Sequence, residues 1–494
     1  MKRLYFLLIG TLMSTTLIFG GGLVTNTNQS AAWARTLTRQ AAYGIDAVYF
    51  NPAGLGLLDN GLHVSLSSQS IFQTRQITNS YPLIAGAPKT YEGTAKAPVF
   101  PSAYAVLKLG KLAISAGFNI IGGGGSAEFA EGLPVFERQV SSVPALLSGV
   151  DNAVEALTTN NPGFSNITGY SMDAYFNGSS VYYGIQAGLT YSINKMISVA
   201  VGARYVSVKN SYQGNLSNIT LDAPVIYGGT QSATQYLTLV GDQINPFDAN
   251  TGALLYGTAA SLNDPELDAT QTGSGITPII GLNLHLTDMI NVGLKYEHHT
   301  TIELTNDNTV DDVNMYPKGA KSRADLPGMV SGGVQVKPVK KLTGSLGFNY
   351  YMDRPAYYGK YETDADGDPV LDEDGISYVQ INNETTIDNN AFDVSVSLEY
   401  MLKDNIGVSG GYSMGNNGVN DNYQSDLSHA LKTSTVAGGV YIGIGNKIGL
   451  NAGVVYVIYQ EGSVTKADGM TGINYTETYM KNTMIFAVGI DINL

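Results

Sequence analysis

The stretch Ile290 to Leu304, INVGLKYEHHTTIEL, alternates residue by residue. Ile290, Val292, Leu294, Tyr296, His298, Thr300, Ile302 and Leu304 form one row; Asn291, Gly293, Lys295, Glu297, His299, Thr301 and Glu303 form the other. One row is mostly apolar and the other polar, and a period of two is the signature of a strand. The pattern recurs in Leu112, Ile114, Ala116, Phe118 and Ile120 against Ala113, Ser115, Gly117 and Asn119. It recurs again in Val394, Val396, Leu398 and Tyr400 against Asp393, Ser395, Ser397 and Glu399. A soluble β-sandwich also alternates, but its strands run about 5–6 residues. Many of these hold the pattern for about 9–11 residues, the length of a tilted strand crossing a bilayer, and their polar rows are rich in the small residues a lumen accommodates. The expected fold is therefore all-β: a transmembrane antiparallel β-barrel.

The connections orient it. Short polar joints fall around Gly110-Lys111, Asn194-Lys195, Thr287-Asp288, Lys337 to Lys341, Asp404-Asn405 and Asn446-Lys447. Between them lie long polar stretches near 122–178, 211–272, 305–324, 353–389, 414–431 and 461–480. Strict alternation of short and long connections is the habit of bacterial outer-membrane barrels, with tight periplasmic turns and long outer loops, and the joints divide the chain into roughly 14 strands. The last, MIFAVGIDINL, carries Met484, Phe486, Val488, Ile490, Ile492 and Leu494 on its apolar row. Composition agrees. Gly 58 and Tyr 32 against Trp 1 favour β-structure, and charged residues make up only 14%, below the ~25% of ordinary globular domains. A formal net charge of -14, which deepens if Lys2 and Arg3 are removed, argues against nucleic acid as a partner.

The opening MKRLYFLLIGTLMSTTLIFG has two cations, an apolar run and small residues near its end, the layout of a secretory signal over residues 1–20. Its apolar run is shorter than the ~20 residues of a spanning helix. With Cys 0 there is no thiol for a lipid anchor. Residues 21–61 then precede the first alternating strand, in which Leu62, Val64 and Leu66 share a face. That segment contains AAWARTLTRQAAYGIDAVYFNPAGLGLL, too apolar for a disordered tail, so it is expected to fold against the lumen of the barrel formed by 62–494. Within it Pro52 stops a helix and fixes φ, and Asn51, Ala53 and Gly54 complete a turn back toward the wall.

At this point the sequence resembles the FadL/TodX type of outer-membrane transporter for long-chain fatty acids and other hydrophobic compounds. The resemblance rests on GGLVTNTNQSAAWARTLTRQAAYGIDAVYFNPAGL with its Asn51-Pro52-Ala53, on GSGITPIIGLNLHLTDMINVGLKYEHHTTIEL, and on ADLPGMVSGGV, where Leu326-Pro327 opens a strand. The family norm of a terminal Phe is replaced here by Leu494. The resemblance implies that the N-terminal segment is a hatch inside the barrel, that outer loops capture ligand, and that ligand leaves sideways where the third strand kinks inward. Gly122, Gly123, Gly124 and Gly125 are the candidates for that kink, since four glycines hold a regular ladder poorly. Their position at the expected outer end of the strand equally suits the flexible start of a loop.

Val140, Val143, Leu146, Leu147, Val150, Val154 and Leu157 recur at helical spacing. The first long loop is thus expected to carry an amphipathic helix facing Leu237, Leu239, Leu254 and Leu255 of the second. The two loops either pack as a cap or leave a groove between them for ligand. Arg204 and Lys295 lie on polar rows and are candidates for a ligand carboxylate, or alternatively partners of acids such as Glu297. Arg35 and Arg39 could tie the hatch to the wall. Asp364, Asp366 and Asp368 resemble the start of a calcium loop, but Gly375 stands where the twelfth-position acid belongs. No cofactor is implied. The five histidines, His63, His285, His298, His299 and His429, show no zinc spacing, and no G-x-S-x-G stretch is present, so no enzyme is expected. The expectation is a monomer in the Gram-negative outer membrane, surrounded by its lipid, that takes up long-chain fatty acids or other hydrophobic molecules passively. A hydrophilic diffusion pore and a surface adhesin are the alternatives.

Overall fold

The computed structural model describes Leu23 and residues 30–312, 314–364, 369–426 and 428–494; the expected signal, residues 1–20, lies outside them. Fourteen antiparallel strands close a barrel. In chain order they are β1 (Gly61–Asn79), β2 (Lys89–Leu109), β3 (Leu112–Phe129), β4 (Tyr170–Ser192), β5 (Ile197–Asp222) and β6 (Glu266–Thr287). Then come β7 (Ile290–Glu297, resuming at Glu303–Asp311), β8 (Lys321–Arg323, resuming at Gly328–Val339), β9 (Leu342–Met352) and β10 (Phe392–Lys403). The last four are β11 (Ile406–Asn416), β12 (Thr433–Ile444), β13 (Ile448–Tyr459, extended by Gly462–Ala467) and β14 (Asn474–Asn493). Each pairs with its successor, and β14 pairs with β1 from His63↔Asn493 to Asn79↔Glu477. Leu494 finishes the seam: its N–H donates to the Leu62 carbonyl, and Leu62 N–H donates back.

Burial is inverted relative to a water-soluble protein. Leu294 is 45% exposed and Leu398 59%, while their inward neighbours Lys295 and Ser397 are 2% and 5% exposed. The outer surface is therefore a continuous apolar band, far beyond the scattered greasy residues water tolerates. Among the described residues no helix is long and apolar enough to cross a membrane; the strands are the only elements of that reach.

Two expectations change. The strands overrun the expected loops: β3 has 18 residues, β4 23 and β5 26, so the two largest outer connections shrink to 130–169 and 223–265. The row through Ile290–Leu304 also breaks. Residues 298–302 leave the ladder apart from a single bridge at Thr300, and Ile302 at the end of the break and Leu304 beyond it are buried, opposite in sense to Ile290 and Leu294. A segment that leaves the pleat can re-enter on the other face.

Candidate functional site

The lower lumen is filled by residues 30–60. Helix α1 (Ala31–Thr36) starts at Ser30, whose hydroxyl accepts from Trp33 N–H and donates to Asp46, and ends at Leu37 in the left-handed region. Arg39 and Asp46 pair at 2.6 Å, a clasp within the segment. Arg35 reaches the wall, donating to Asn451 Oδ1 at 2.8 Å and bonding Glu399. Helix α2 (Ala47–Phe50) stops where expected: Asn51 is extended, and Pro52 opens a 3₁₀ turn over Pro52–Leu57. That turn is riveted to the wall. Asn51 Nδ2 donates to the Leu282 carbonyl, Thr190 Oγ1 to that of Pro52 and Ser198 Oγ to that of Ala53, at 2.7–3.1 Å. Gly54 serves a close approach rather than an unusual φ, since a Cβ there would stand 2.7 Å from the Ala42 carbonyl.

The wall is shaped for this filling. Gly281, Gly293, Gly347, Gly411, Gly453 and Gly489 face inward, and a Cβ on any of them would run into Asn51, Gln40, Thr36, Ala34 or Ala31. The abundance of glycine is thus partly a belt that lets two backbones meet. Arg204 and Lys295 pack against Tyr49 of α2, and both are buried. Arg204 forks onto both Glu297 oxygens at 2.8 and 2.9 Å. Lys295 Nζ donates to Glu297 at 2.6 Å and to the Tyr49 carbonyl at 2.9 Å. Both cations also sit about the Tyr49 ring. The two cations form a structural triad with Glu297, the alternative partner read from the sequence.

Between β2 and β3 the ladder of the wall is interrupted. β2 and β3 pair at Lys96↔Ser126 and next at Ser102↔Asn119, so Ala97–Pro101 and Ile120–Gly125 face each other without ladder bonds. Gly122, Gly123, Gly124 and Gly125 lie within β3, not at its end. The strand slips register against β4 at Ile120/Gly122 and Gly123/Gly125. From Asn119 to Gly123 every residue is buried, so the inside/outside alternation of the strand is lost there. Gly123 has φ 62, and a Cβ there would collide with the Ser180 carbonyl. On the facing strand Pro98 and Pro101 have no N–H to give. These prolines were legible as in-strand prolines, yet the sequence reading did not use them.

No family model and no curated protein matches the sequence. Solved structures do. A Pseudomonas aeruginosa FadL homologue aligns over 96% of this chain and 99% of its own at 11% identity, with a TM-score of 0.61. The Pseudomonas putida toluene transporter TodX aligns over 96% and 100% at 12% identity, TM-score 0.53, and the Ralstonia pickettii toluene transporter TbuX over 94% and 98% at 13%, TM-score 0.52. The chain has the FadL-type fold.

Above the plug, the FadL-type barrel carries its helices in two outer loops. α3 (Pro134–Ser141) and α4 (Val143–Thr158) follow β3; α5 (Ala233–Ile244) and α6 (Ala249–Ser261) follow β5. The expected helix is present, but Val143, Leu147, Val150 and Leu237 are buried, with Leu146 and Leu239 partly buried against the same cluster. They form the core of a cap rather than an open groove. The two loops are joined through Phe164, whose carbonyl accepts from Tyr236 and whose ring lies 5.1 Å from that of Tyr227. An open cleft lies elsewhere, lined by Tyr212, Tyr316, Tyr358, Tyr361, Asn210 and Gln271. At the outer end of β9, burial pushes the Asp353 carboxyl up to about 7, opposed by N–H donors from Ala391 and Leu23. Asp366 and Asp368 of the calcium candidate lie outside the described residues.

Proposed function

We propose that this chain is an outer-membrane channel for passive uptake of hydrophobic small molecules, long-chain fatty acids among them, with lateral release through the wall between β2 and β3. One observation supports the reading: the β2–β3 ladder is interrupted beside glycines and prolines, in a barrel whose lower lumen is filled by residues 30–60. The apolar exterior supports a membrane setting. The plug argues against a hydrophilic pore, because small polar solutes have no straight path. A sideways exit lets an apolar solute pass into lipid without entering the aqueous space below. Exposed Leu157, Val225, Ile226 and Phe247 on the outer loops offer first contacts, and the neighbours named as toluene transporters support a hydrophobic cargo.

The test is binding of a labelled long-chain fatty acid to the detergent-purified protein, intact and with residues 21–45 removed, alongside liposome swelling with small sugars. Binding by the intact protein, weakened by the deletion, with sugars excluded until the plug is gone, is the expected result. No binding by the intact protein together with free passage of sugars would overturn the reading in favour of an open pore.

A further inference from the structure

The end of the barrel that carries the short turns is basic, although the chain as a whole has a net charge of -14. Lys111 lies at the β2–β3 turn, Lys195 in the β4–β5 turn, Lys340 and Lys341 in the β8–β9 turn, Lys403 at the β10–β11 turn and Lys447 in the β12–β13 turn, and all of them are exposed. The exposed acidic side chains at the same level are Asp59, Asp288 and Asp404. None of these lysines forms an ion pair among the described residues, whereas at the opposite end Lys89, Lys318, Lys321 and Lys466 each lie 2.6–2.9 Å from an acid. Cations of the outer end are neutralised within the chain; those of the inner end are left for a partner.

At one place the unpaired cations line a cleft. It lies between the β2–β3 and β4–β5 turns, bounded by residues 56–60 at the end of the plug, and Lys108, Lys111 and Lys195 line it. Lys108 is only 3% exposed, and its Nζ donates to the Gly110 carbonyl at 2.5 Å. A carbonyl offers this buried ammonium a dipole but no counter-charge, and buried charges are costly without one. Lys111 Nζ donates across the cleft to the Ile193 carbonyl at 3.2 Å. Both turns are tied to the plug, since Gly110 N–H donates to Asn60 Oδ1 at 2.7 Å and Ser192 Oγ to the Gly56 carbonyl at 3.2 Å. The cleft is therefore held in shape. Among its lining residues Asp59 is the only acid, against three cations.

The surroundings say what kind of anion fits. Ile193 and Met196 line the cleft, Leu109 precedes Gly110, and all three are exposed side chains at the lower edge of the outer apolar band. Lysines in such a position lay their stems along apolar surface and hold the ammonium at the level of lipid headgroups. A free anion would use the lysines alone, whereas a molecule with an anionic head and apolar chains meets both features.

We propose that this cleft seats the phosphate of an anionic lipid from the adjoining leaflet, held by Lys108, Lys111 and Lys195, with the acyl chains lying over Leu109, Ile193 and Met196. The inference goes beyond the uptake reading and shares with it only the membrane setting. A lipid so placed joins the foot of β2 and β3, the strand pair with the interrupted ladder, to the neighbouring turn.

The test is native mass spectrometry of the full-length protein purified in detergent, titrated with phosphatidylglycerol or with phosphatidylcholine of the same chains. The unaltered protein is expected to prefer phosphatidylglycerol. Replacing Lys111→Gln and Lys195→Gln together should weaken that lipid about 10-fold or more, from roughly 1 kcal/mol for each lysine near an anionic surface, and leave phosphatidylcholine unchanged; Lys111→Arg with Lys195→Arg keeps the preference. Lys340→Gln with Lys341→Gln removes the same charge from another turn of the same rim and should change little. An equal loss with that second pair would reduce the seat to a diffuse attraction and overturn it. Absence of a preference in the unaltered protein, or displacement of the lipid by excess inorganic phosphate, would overturn it as well, and each of these results leaves the uptake reading standing.

Discussion

At residues 298–302 and 324–327, strands β7 and β8 leave the ladder side by side, and side chains take over the bonds that are lost. Asp325 accepts from Ile302 N–H at 3.0 Å, from two Arg323 nitrogens at 2.9 and 2.7 Å and from His299 Nε2 at 2.9 Å, while Thr300 N–H donates to the Leu326 carbonyl. Between β2 and β3 the chain does the reverse: Pro98 and Pro101 remove donors and the glycines of β3 bend the strand away. Backbone groups cut off from water must find partners. A break stitched by a carboxylate is a sealed joint, whereas a break made with prolines and glycines has fewer groups to satisfy and stays apart.

The largest effect should come from converting the open break into a wall. Replacing Pro98, Pro101, Gly122 and Gly125 together with Val restores donors and strand preference, and uptake of a labelled fatty acid by whole cells should fall to near background with the barrel still folded. Undiminished uptake would remove the gap from the route. Next, Asp325→Ala should unpick the sealed break, costing about 3 kcal/mol through the loss of bonds to charged groups, read as a lower denaturant midpoint. Uptake per folded molecule should not rise; a rise would mean the two breaks differ only in degree. Gly123→Ala should cost about 1–2 kcal/mol from the left-handed backbone, with added shift of β3 against Ser180, and should lower uptake as well as stability. The smallest effect belongs to Asp353, on the stitched side. Burial pushes its carboxyl up to about 7 in the folded protein, above the ordinary carboxylate value of 3.8. The folded state thus holds the proton more tightly, and this contribution is complete below the unfolded value and is lost as pH rises through about 7. Asp353→Asn should flatten that part of the stability profile between pH 4 and 7, and an unaltered slope would show that Asp353 is not its source.

The alternation made the strands, their number and their facing legible, because lipid outside and a crowded lumen inside impose opposite demands on successive residues. It failed where residues leave the pleat. His298 to Thr301 keep an alternating look while the backbone departs, so Ile302 and Leu304 were placed on the wrong side. The glycine run was set at a strand end because a bilayer crossing bounds the expected length, and nothing in the sequence announces that β3 continues beyond it. Arg204 and Lys295 could be assigned to the lumen, but the fork onto Glu297 depends on which strands adjoin.

That closure also dictates an order of events. The β1–β14 seam is the contact of greatest sequence separation in the wall, the kind whose loop-closure entropy makes it slow to form. Once it zips, residues 30–60 lie inside a closed wall whose glycines meet their backbone closely. The N-terminal segment is therefore expected to nest in the curling sheet before the final pair joins, as a mandrel around which the cylinder is drawn shut.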